Sequence, residues 1–206
     1  MLPADLVDVP RETWPQLEEL RSLIEAENRQ QNLVSAATLE PKVFQQRHLL
    51  DCAQLVRFAP DADSWLDIGS GAGLPGLVIA LLTRKPVLLV EPRRRRADFL
   101  FNAAEQLGLA RQVSVAQQMV QAVPSSRGPF AAITARAVAS LSILFAQASH
   151  LSRPDTVWVL PKGRRATAEL ASARQTWQGQ FRTEPSVTAE DSSIVIARDV
   201  RRKGGK

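Results

Sequence analysis

One stretch, Asp67–Gly76 (DIGSGAGLPG), limits more than any other what this chain can fold into. It follows an apolar run and contains three alternating glycines, Gly69, Gly71 and Gly73. Glycine reaches positive φ without strain and lets a ligand approach the backbone closely. A glycine turn at the end of a buried strand, with a helix-like apolar stretch after it, is typical of a ligand-binding unit in a parallel sheet.

Short apolar runs alternate with helical patterns along the rest of the chain, which predicts a doubly wound α/β domain with helices on both faces of a sheet. The predicted strands are Trp65–Ile68, Val87–Val90, Val113–Ala116, Phe130–Thr134, Val157–Leu160 and Ile194–Ala197. The helical patterns between them are Leu74–Leu82, Ala97–Leu107 and Leu141–Leu151.

The part before the first strand has a different texture. A capping box at Thr13–Gln16 predicts the start of one helix, and apolar spacing predicts a second helix from about Lys42 to Phe58. We therefore expect a small N-terminal helical cap over residues 1–60 and a ligand-binding α/β domain over residues 61–206. The basic, glycine-ended tail 198–206 is predicted to be frayed.

Two ligand templates compete for the glycine turn. A dinucleotide motif, G-x-G-x-x-G, fits Gly71–Gly76, but it starts four residues after Asp67, and Pro75 removes one N–H from it. The second template begins at the strand end with the acid Asp67. A carboxylate there repels a pyrophosphate but suits the cationic S-adenosylmethionine, and Glu91 at the next strand end can accept from both ribose hydroxyls.

The charge distribution indicates a polyanionic partner. The net charge is +5, with −4 over residues 1–90 and +9 over residues 91–206, and 21 of the 26 basic residues are arginine. Arginine forks bind phosphate bidentately. The candidate RNA-binding residues are Arg93, Arg94, Lys162, Arg201, Arg202 and Lys203.

Few cysteines and histidines limit the other chemistry. One cysteine, Cys52, excludes an internal disulfide, and two histidines about 100 positions apart predict no metal site. No apolar run reaches about 18 residues, and the N-terminus MLPADLVDVP lacks the pattern of a signal peptide. We expect a cytoplasmic protein without a membrane partner.

Five segments resemble, in order, the glucose-inhibited division protein B family: QNLVS at 31–35, RHLLD at 47–51, DIGSGAGLPG at 67–76, ARAVASL at 135–141 and PKG at 161–163. The resemblance covers about Leu17 to Val200. It implies a Rossmann-like class I methyltransferase sheet, mostly parallel with an antiparallel last strand. It also implies an enzyme that uses S-adenosylmethionine to methylate N7 of a guanine in bacterial 16S rRNA, with 16S rRNA or the small ribosomal subunit as partner. We expect a monomer.

By match to that family, Gly69 and Leu74 line the methyl-donor site, beside the acids and glycines already named. Val120 and Gln121 follow the third strand, where the family contacts adenine. The family usually has Arg-x-Glu here, whereas this chain has Met119-Val120-Gln121. The Val120 N–H can still meet adenine, and the Gln121 side chain can accept a hydrogen bond without charge.

Arg136 ends the fourth strand and faces donor or RNA in the family pattern. Guanine N7 has a lone pair and no proton, so methyl transfer needs alignment rather than a general base. Arg136 cannot act as a base, but it can orient guanine or hold a phosphate, so it is the predicted substrate-positioning residue. His48 and Asn32 are predicted to have structural roles, in packing and in fixing the turn between the cap helices.

Three other functions stay open at this point. A small-molecule methyltransferase would have a compact apolar substrate pocket in the cap. An RNA-binding module of the same fold with weak or no turnover is compatible with the changed residues at 119–121. A dinucleotide-dependent oxidoreductase would use the glycine turn differently.

Overall fold

The computed structural model describes residues 9–204 and contains a seven-stranded mixed sheet within that range. Its strand order is β3-β2-β1-β4-β5-β7-β6, where the strands are β1 (Trp65–Ile68), β2 (Val87–Val90), β3 (Val113–Ala116), β4 (Ala132–Ala135), β5 (Val157–Lys162), β6 (Trp177–Pro185) and β7 (Ser193–Arg202). Strands β1 to β5 are parallel, and β7 runs antiparallel to both of its neighbours. The predicted fold class is confirmed, including the antiparallel last strand.

The strand order reverses at β1, because β2 lies on one side of it and β4 on the other. The registers pair Asp67 with Leu89 of β2 and with Thr134 of β4. In open sheets of this kind, ligands bind beyond the carboxyl ends of the strands at this switch point. The fold therefore brings the ends of β1, β2 and β4 together at one edge, which we call the ligand edge.

Helices cover both faces of the sheet. The α-helices of the described range are α1 (Trp14–Asn28), α2 (Pro41–Phe44), α3 (Asp51–Ala53), α4 (Gly76–Thr83), α5 (Arg94–Gln106), α6 (Leu141–Ala148) and α7 (Ala166–Thr176). One core layer joins α4 and α5 to the sheet, and the other joins α6 and α7 to its opposite face. Helix α4 is buried over most of its length, which explains its uninterrupted apolar sequence.

The N-terminal segment packs on the α4 side of the sheet. Leu17, Leu20 and Phe44 are fully buried in the same apolar cluster as Trp65 of β1 and Leu77 of α4. Residues 9–60, which we call the cap, thus share a core with the sheet, and the separation of the predicted cap as a domain of its own stays a prediction.

The second cap helix is not continuous. Between α2 and α3 the chain forms a π-helical segment, Gln45–Leu50. Such widened turns are rare and often occur at functional sites. This segment contains most of the RHLLD motif, so the fold places that motif on an irregular part of the cap.

Three sequence expectations are wrong. No predicted strand corresponds to β6, and residues 198–202 form the end of β7 rather than a frayed tail. Thr13 is buried and makes no capping hydrogen bond, so the capping box is not formed. Instead, the Gln16 side chain donates to the carbonyl of Leu107 at 3.1 Å.

The expectation about a signal peptide falls mainly on residues 1–8, which lie outside the described range.

No helix within residues 9–204 combines the length and the apolar character that a membrane crossing demands.

Candidate functional site

The glycine turn after β1 has a backbone conformation that glycine adopts without strain. Gly69, Gly71 and Gly73 have φ values of +66°, +54° and +79°. A Cβ on Gly69 would lie 2.7 Å from Cγ2 of Val138, and one on Gly73 would collide with Leu77. The alternating glycines therefore meet two needs, because they permit the turn and admit close packing around it.

Asp67 lies under this turn and decides between the two ligand templates. Its Oδ2 accepts a hydrogen bond from the backbone N–H of Gly76 at 3.1 Å, at the first residue of α4. A dinucleotide fold places a pyrophosphate at this helix N-terminus. Because the carboxyl group of Asp67 already occupies it, the dinucleotide template does not fit.

The second oxygen of Asp67 is the unusual one. Asp67 is 1% exposed, and its Oδ1 finds no hydrogen-bond partner among the described residues. Burial raises the pKa of this carboxyl to about 7, against the lowering effects of the nearby Ser70 and of the Gly76 N–H. Thr134 pairs with Asp67 in register, and its buried Oγ1 is also without a partner in the described part of the chain. A buried, unpaired carboxyl oxygen calls for an explanation, and a ligand cation would provide one.

Glu91 joins the end of β2 to the glycine turn. It is 4% exposed, and its two oxygens accept from the backbone N–H groups of Gly71 at 3.0 Å and Arg93 at 2.9 Å. A carboxylate has about four acceptor positions, so acceptor capacity remains for a ligand. The contact of Glu91 with ribose hydroxyls stays a prediction.

A cleft of about 240 Å³ opens beside these residues at the ligand edge, and we call it the donor cleft. Met119 and Val138 lie in its wall as large apolar side chains that remain exposed to solvent. Sequence reasoning missed Val138 as a site residue, although it belongs to the ARAVASL segment. The lining contains four predicted site residues, together with Met119, Ala137 and Val138: Gly69, Glu91, Arg93 and Val120.

The other predicted donor residues lie outside this lining. Asp67 is buried just before the glycine turn, and Gly71 and Gly73 belong to the turn itself. Leu74 is buried in the core, and Gln121 is exposed to solvent. The fold thus brings the strand-end acids and the glycine turn together, and the contact of each predicted residue with the donor stays a prediction.

The Arg136 side chain lies against the cap rather than in the donor cleft. Its guanidinium donates to Nδ1 of His48 at 3.1 Å, to the carbonyl of Arg47 at 3.3 Å and to Oδ2 of Asp51 at 3.4 Å. Since arginine only donates, Nδ1 of His48 must be the acceptor nitrogen. The proton is then on Nε2, which lies 2.9 Å from Oγ1 of Thr38.

This arrangement needs a neutral histidine. Burial, together with the charges of Arg136 and Arg47, lowers the pKa of His48 to about 4. His48 also packs edge-on against Phe44, so its surroundings agree with the structural role expected for it. Its neighbour Cys52 is fully buried, and burial raises the pKa of that thiol to about 12, so it supplies no thiolate at neutral pH.

Asp51 links the cap to the far part of the sheet. Its Oδ1 accepts from Oγ1 of Thr188 at 2.7 Å and from Nε2 of Gln54 at 2.9 Å. Gln54 in turn accepts from the backbone N–H of Val187 at 3.0 Å. The cap therefore contacts both the end of β4, through Arg136, and the connection between β6 and β7.

Comparison with known proteins adds the decisive observation. The family model described as "GidB: rRNA small subunit methyltransferase G" matches residues 13–195. The chain belongs to this family.

Several relatives match nearly the whole chain. The ribosomal RNA small subunit methyltransferase G of Rhizorhabdus wittichii is 44% identical over 199 residues, which cover 95% of this chain and 90% of that protein. The protein of the same name from Zymomonas mobilis is 38% identical over 209 residues, which cover 97% of this chain and 92% of that protein. The resemblance inferred from the five sequence segments is confirmed.

Solved structures agree on the fold. Cofactor-bound Rv0187 from MTB has a TM-score of 0.59 at 18% identity and covers 90% of each chain. The O-methyltransferase from Bacillus cereus in complex with SAH has a TM-score of 0.57 at 18% identity, with 89% of this chain and 90% of that chain covered. At such identities the likeness concerns the fold alone.

The six candidate RNA-binding residues lie in two separate parts of the structure. Arg93 and Arg94 lie at the ligand edge, and the Arg94 side chain is 82% exposed with a long contact of 3.9 Å to Asp98. Lys162 also lies near this edge, but its Nζ donates to the Ala139 carbonyl at 2.6 Å and forms an ion pair with Glu169 at 2.9 Å. Of these three, Arg93 and Arg94 are the better placed for a phosphate.

The tail residues lie elsewhere. Strand β7 begins opposite Lys162, at the ligand edge, and runs antiparallel to β5. Arg201, Arg202 and Lys203 therefore lie at the amino ends of the parallel strands, which we call the opposite edge. There Arg201 contacts Asp199 at 3.6 Å. Their contact with RNA stays a prediction, on a face remote from the donor cleft.

The turn between the cap helices is fixed by a neighbour of the predicted residue. Oδ1 of Asn28 accepts from the backbone N–H groups of Leu33 and Val34 at 2.8 and 3.0 Å. Asn32 contributes its carbonyl, which accepts from Nη2 of Arg96 at 3.0 Å. The cap is thereby tied to helix α5 beside the donor cleft.

Within residues 9–204 no three histidine, cysteine, aspartate or glutamate side chains are grouped so that they could hold a metal ion.

Proposed function

We propose that this chain transfers the methyl group of S-adenosylmethionine to N7 of a guanine in 16S rRNA, in the bacterial cytoplasm. Membership of the small-subunit rRNA methyltransferase family carries this proposal. The donor cleft supports it, because buried acids lie at the switch point where a cationic adenosyl ligand needs them.

The residues at the cleft fit such a donor. The unpartnered Oδ1 of Asp67 suits an α-ammonium group, and Glu91 has acceptor capacity for ribose hydroxyls. Val120 lines the cleft, so its backbone would be the contact for the adenine edge, and the open space around Gly71 leaves room for close approach. When bound, the donor supplies an electrophilic methyl group on its sulfonium.

The chemistry asks little of the protein beyond positioning. Guanine N7 has no proton, so no residue needs to remove one there. This agrees with the side chains where the cap meets the end of β4, because His48 has both ring nitrogens in hydrogen bonds and Arg136 keeps its charge. Aligning N7 with the transferred methyl group is worth several orders of magnitude in rate, and the residues at the ligand edge have to supply it.

RNA would approach across the ligand edge. Arg93 and Arg94 lie there at the start of α5, where the helix dipole disfavours positive charge. A phosphate from outside would relieve that unfavourable placement. The tail residues Arg201 and Arg202 would touch RNA only if the RNA reached around to the opposite edge.

Mass spectrometry of 16S rRNA tests the proposal. Ribosomes from a strain that lacks this chain should lose one N7-methylated guanine, and the purified chain with S-adenosylmethionine should restore it. Naked 16S rRNA and small subunits are offered in parallel to identify the substrate. An unchanged guanine pattern in the deleted strain would exclude the activity. Binding of RNA and donor without methyl transfer would favour the RNA-binding module.

A further inference from the structure

A second pocket of about 220 Å³ lies next to the donor cleft, and Ala137 lines both. The volume corresponds to about seven water molecules, which is the scale of one nucleobase. Asp51 of the cap, Arg136 at the end of β4 and Ser193 at the start of β7 contribute to its wall. An acidic and a basic side chain, Asp51 and Arg136, therefore face one small volume at the ligand edge, beside Lys162, whose Nζ is already paired with Glu169 at 2.9 Å.

The acidic and basic groups of this pocket are loosely joined. Nη1 of Arg136 lies 3.4 Å from Oδ2 of Asp51, whereas a strong charge-assisted hydrogen bond measures about 2.7–2.9 Å. Of its five N–H groups, the guanidinium uses three toward the described residues Arg47, His48 and Asp51. Two donors on Arg136 and most of the acceptor capacity of Oδ2 thus remain for a ligand.

The other oxygen of Asp51 is firmly anchored. Oδ1 accepts from Thr188 at 2.7 Å and from Gln54 at 2.9 Å, and these contacts fix the carboxylate plane. The carboxylate is thereby held with one oxygen bound to the fold and the other beside Arg136. Such preorganisation is what base recognition by hydrogen bonds requires.

A carboxylate beside a guanidinium matches one base in particular. The Watson–Crick edge of guanine has two donors, N1–H and the N2 amino group, next to the acceptor O6. Adenine and cytosine each present a ring acceptor next to an amino donor and would leave the carboxylate facing a lone pair. Uracil has a single donor, N3–H, between two acceptors, so it offers the carboxylate one hydrogen bond where guanine offers two. Enzymes that modify a single base read its Watson–Crick edge in this way after the base leaves its stack.

We propose that this second pocket holds the target guanine, with Asp51 accepting from its N1–H and N2 amino groups and Arg136 donating to O6. The proposal rests on the proposed function. N7 lies on the imidazole ring, away from N1 and N2, so a base bound by its Watson–Crick edge turns N7 out of the pocket. Ala137 separates the pocket from the donor cleft, and N7 then faces the transferred methyl group across it.

Inosine, which lacks the N2 amino group, tests this contact. Two versions of 16S rRNA are prepared by ligation, with guanine or inosine at the methylated position found by mass spectrometry. Single-turnover rates are measured for the full-length parent, for Asp51→Asn and for Asp191→Asn. Asp191 carries an exposed carboxylate that pairs with Arg164 at 2.6 Å outside the second pocket, so its variant controls for the lost charge.

The parent should lose roughly ten- to a hundredfold in rate on inosine RNA, the cost of a hydrogen bond to a charged group. Asp51→Asn should lose a similar factor on guanine RNA and little more on inosine RNA, whereas Asp191→Asn should keep the parent's inosine penalty. The carbonyl oxygen of the new asparagine side chain can still accept from Thr188 and Gln54, and unchanged donor affinity will verify the fold.

Either of two results would overturn the assignment of Asp51 and leave the proposed function standing. In the first, the parent methylates both RNAs equally fast. In the second, Asp51→Asn is slowed by inosine as much as the parent is. The parent's own ratio decides the matter if Asp51→Asn does not fold. A parent that methylates no guanine N7 at all would overturn the proposed function, and the pocket assignment with it.

Discussion

Gly71→Ala separates the ligand role of the glycine turn from its structural role. Gly71 has φ +54°, and a Cβ built on it would have only Nη1 of Arg96 and the Gly69 carbonyl oxygen nearby, each at 3.8 Å. The added methyl group therefore meets no clash. Gly108, just after α5, is a matched control, because it has φ +68° and no atom within 4 Å of the added Cβ.

The cost in stability should be equal for the two variants. An L-residue in the left-handed region costs roughly 1–2 kcal/mol, which corresponds to a fall in Tm of about 2–8 °C for a chain of this size. The cost in donor affinity should differ. The N–H of Gly71 donates to Oε2 of Glu91 at 3.0 Å, and relief of the strain at an alanine would move that N–H and narrow the approach to the turn. We expect at least a tenfold loss, or about 1.4 kcal/mol.

Calorimetric titration with S-adenosylmethionine measures the difference. Thermal unfolding of both variants first establishes that the strain penalties match. Gly71→Ala should then bind the donor at least tenfold more weakly than the parent, and Gly108→Ala should bind it as the parent does. Equal affinities for Gly71→Ala and Gly108→Ala would refute the assignment of this turn to the donor.

Three further groups of predictions concern charged residues. Burial raises the pKa of the Asp67 carboxyl to about 7, so this group ionises as the pH rises from about 5.5 to 7.5. Donor affinity should increase over the same range, because the ionised carboxylate attracts the ammonium group of the donor. Calorimetry should find that Asp67→Asn binds the donor more weakly and without this pH dependence. Because this pKa is raised above its unfolded value, Asp67 should also make the free protein lose stability as the pH rises from about 4 to 7, which denaturant titration of the same variant checks. Arg136→Ala should lower the single-turnover rate by roughly a hundredfold, and Arg136→Lys should recover only part of it, since an ammonium lacks the planar fork; near-normal rates for Arg136→Ala would make the residue a structural ion pair. Arg94→Gln should reduce the slope of log RNA affinity against log salt by roughly 0.7–0.9, and Arg201→Gln, at the opposite edge, should change it less; equal reductions for both would mean that the RNA reaches both edges.

The central strands were predictable because parallel strands are buried on both faces and read as continuous apolar runs. Strands β1 and β2 match their predicted bounds to the residue, at Trp65–Ile68 and Val87–Val90. Strand β6 escaped prediction because it lies at the edge of the sheet, pairs only with β7 within the described range and carries mostly polar side chains. Gly179 interrupts its register there, and this irregularity hides the period-2 pattern that would otherwise indicate a strand.

The grouping of Asp67, Gly69 and Glu91 was also predictable, because each lies at or just after the end of a predicted strand, while their contact with the donor stays a prediction. The contacts of the side chains that surround Arg136 could not be predicted from the sequence. The bond between Asp51 and Thr188 joins residues 137 positions apart, and no local pattern indicates it. The sequence shows that Lys162 is basic, but its ion pair with Glu169 depends on the packing of α7 against the end of β5 and could not be predicted.

Ala137 links the cap to the two pockets of the proposed reaction. It has φ +56°, a strained conformation for a residue with a Cβ, and it lies between the donor cleft and the second pocket. Strain of this kind persists only when neighbouring contacts hold the backbone from both sides. On one side Arg136 is bound to the cap through His48 and Asp51, and on the other Val138 packs against Gly69 of the donor turn. In the proposed reaction these contacts would hold the backbone between the two pockets in place, and in-line transfer from a bound donor to a bound base requires such fixed positions.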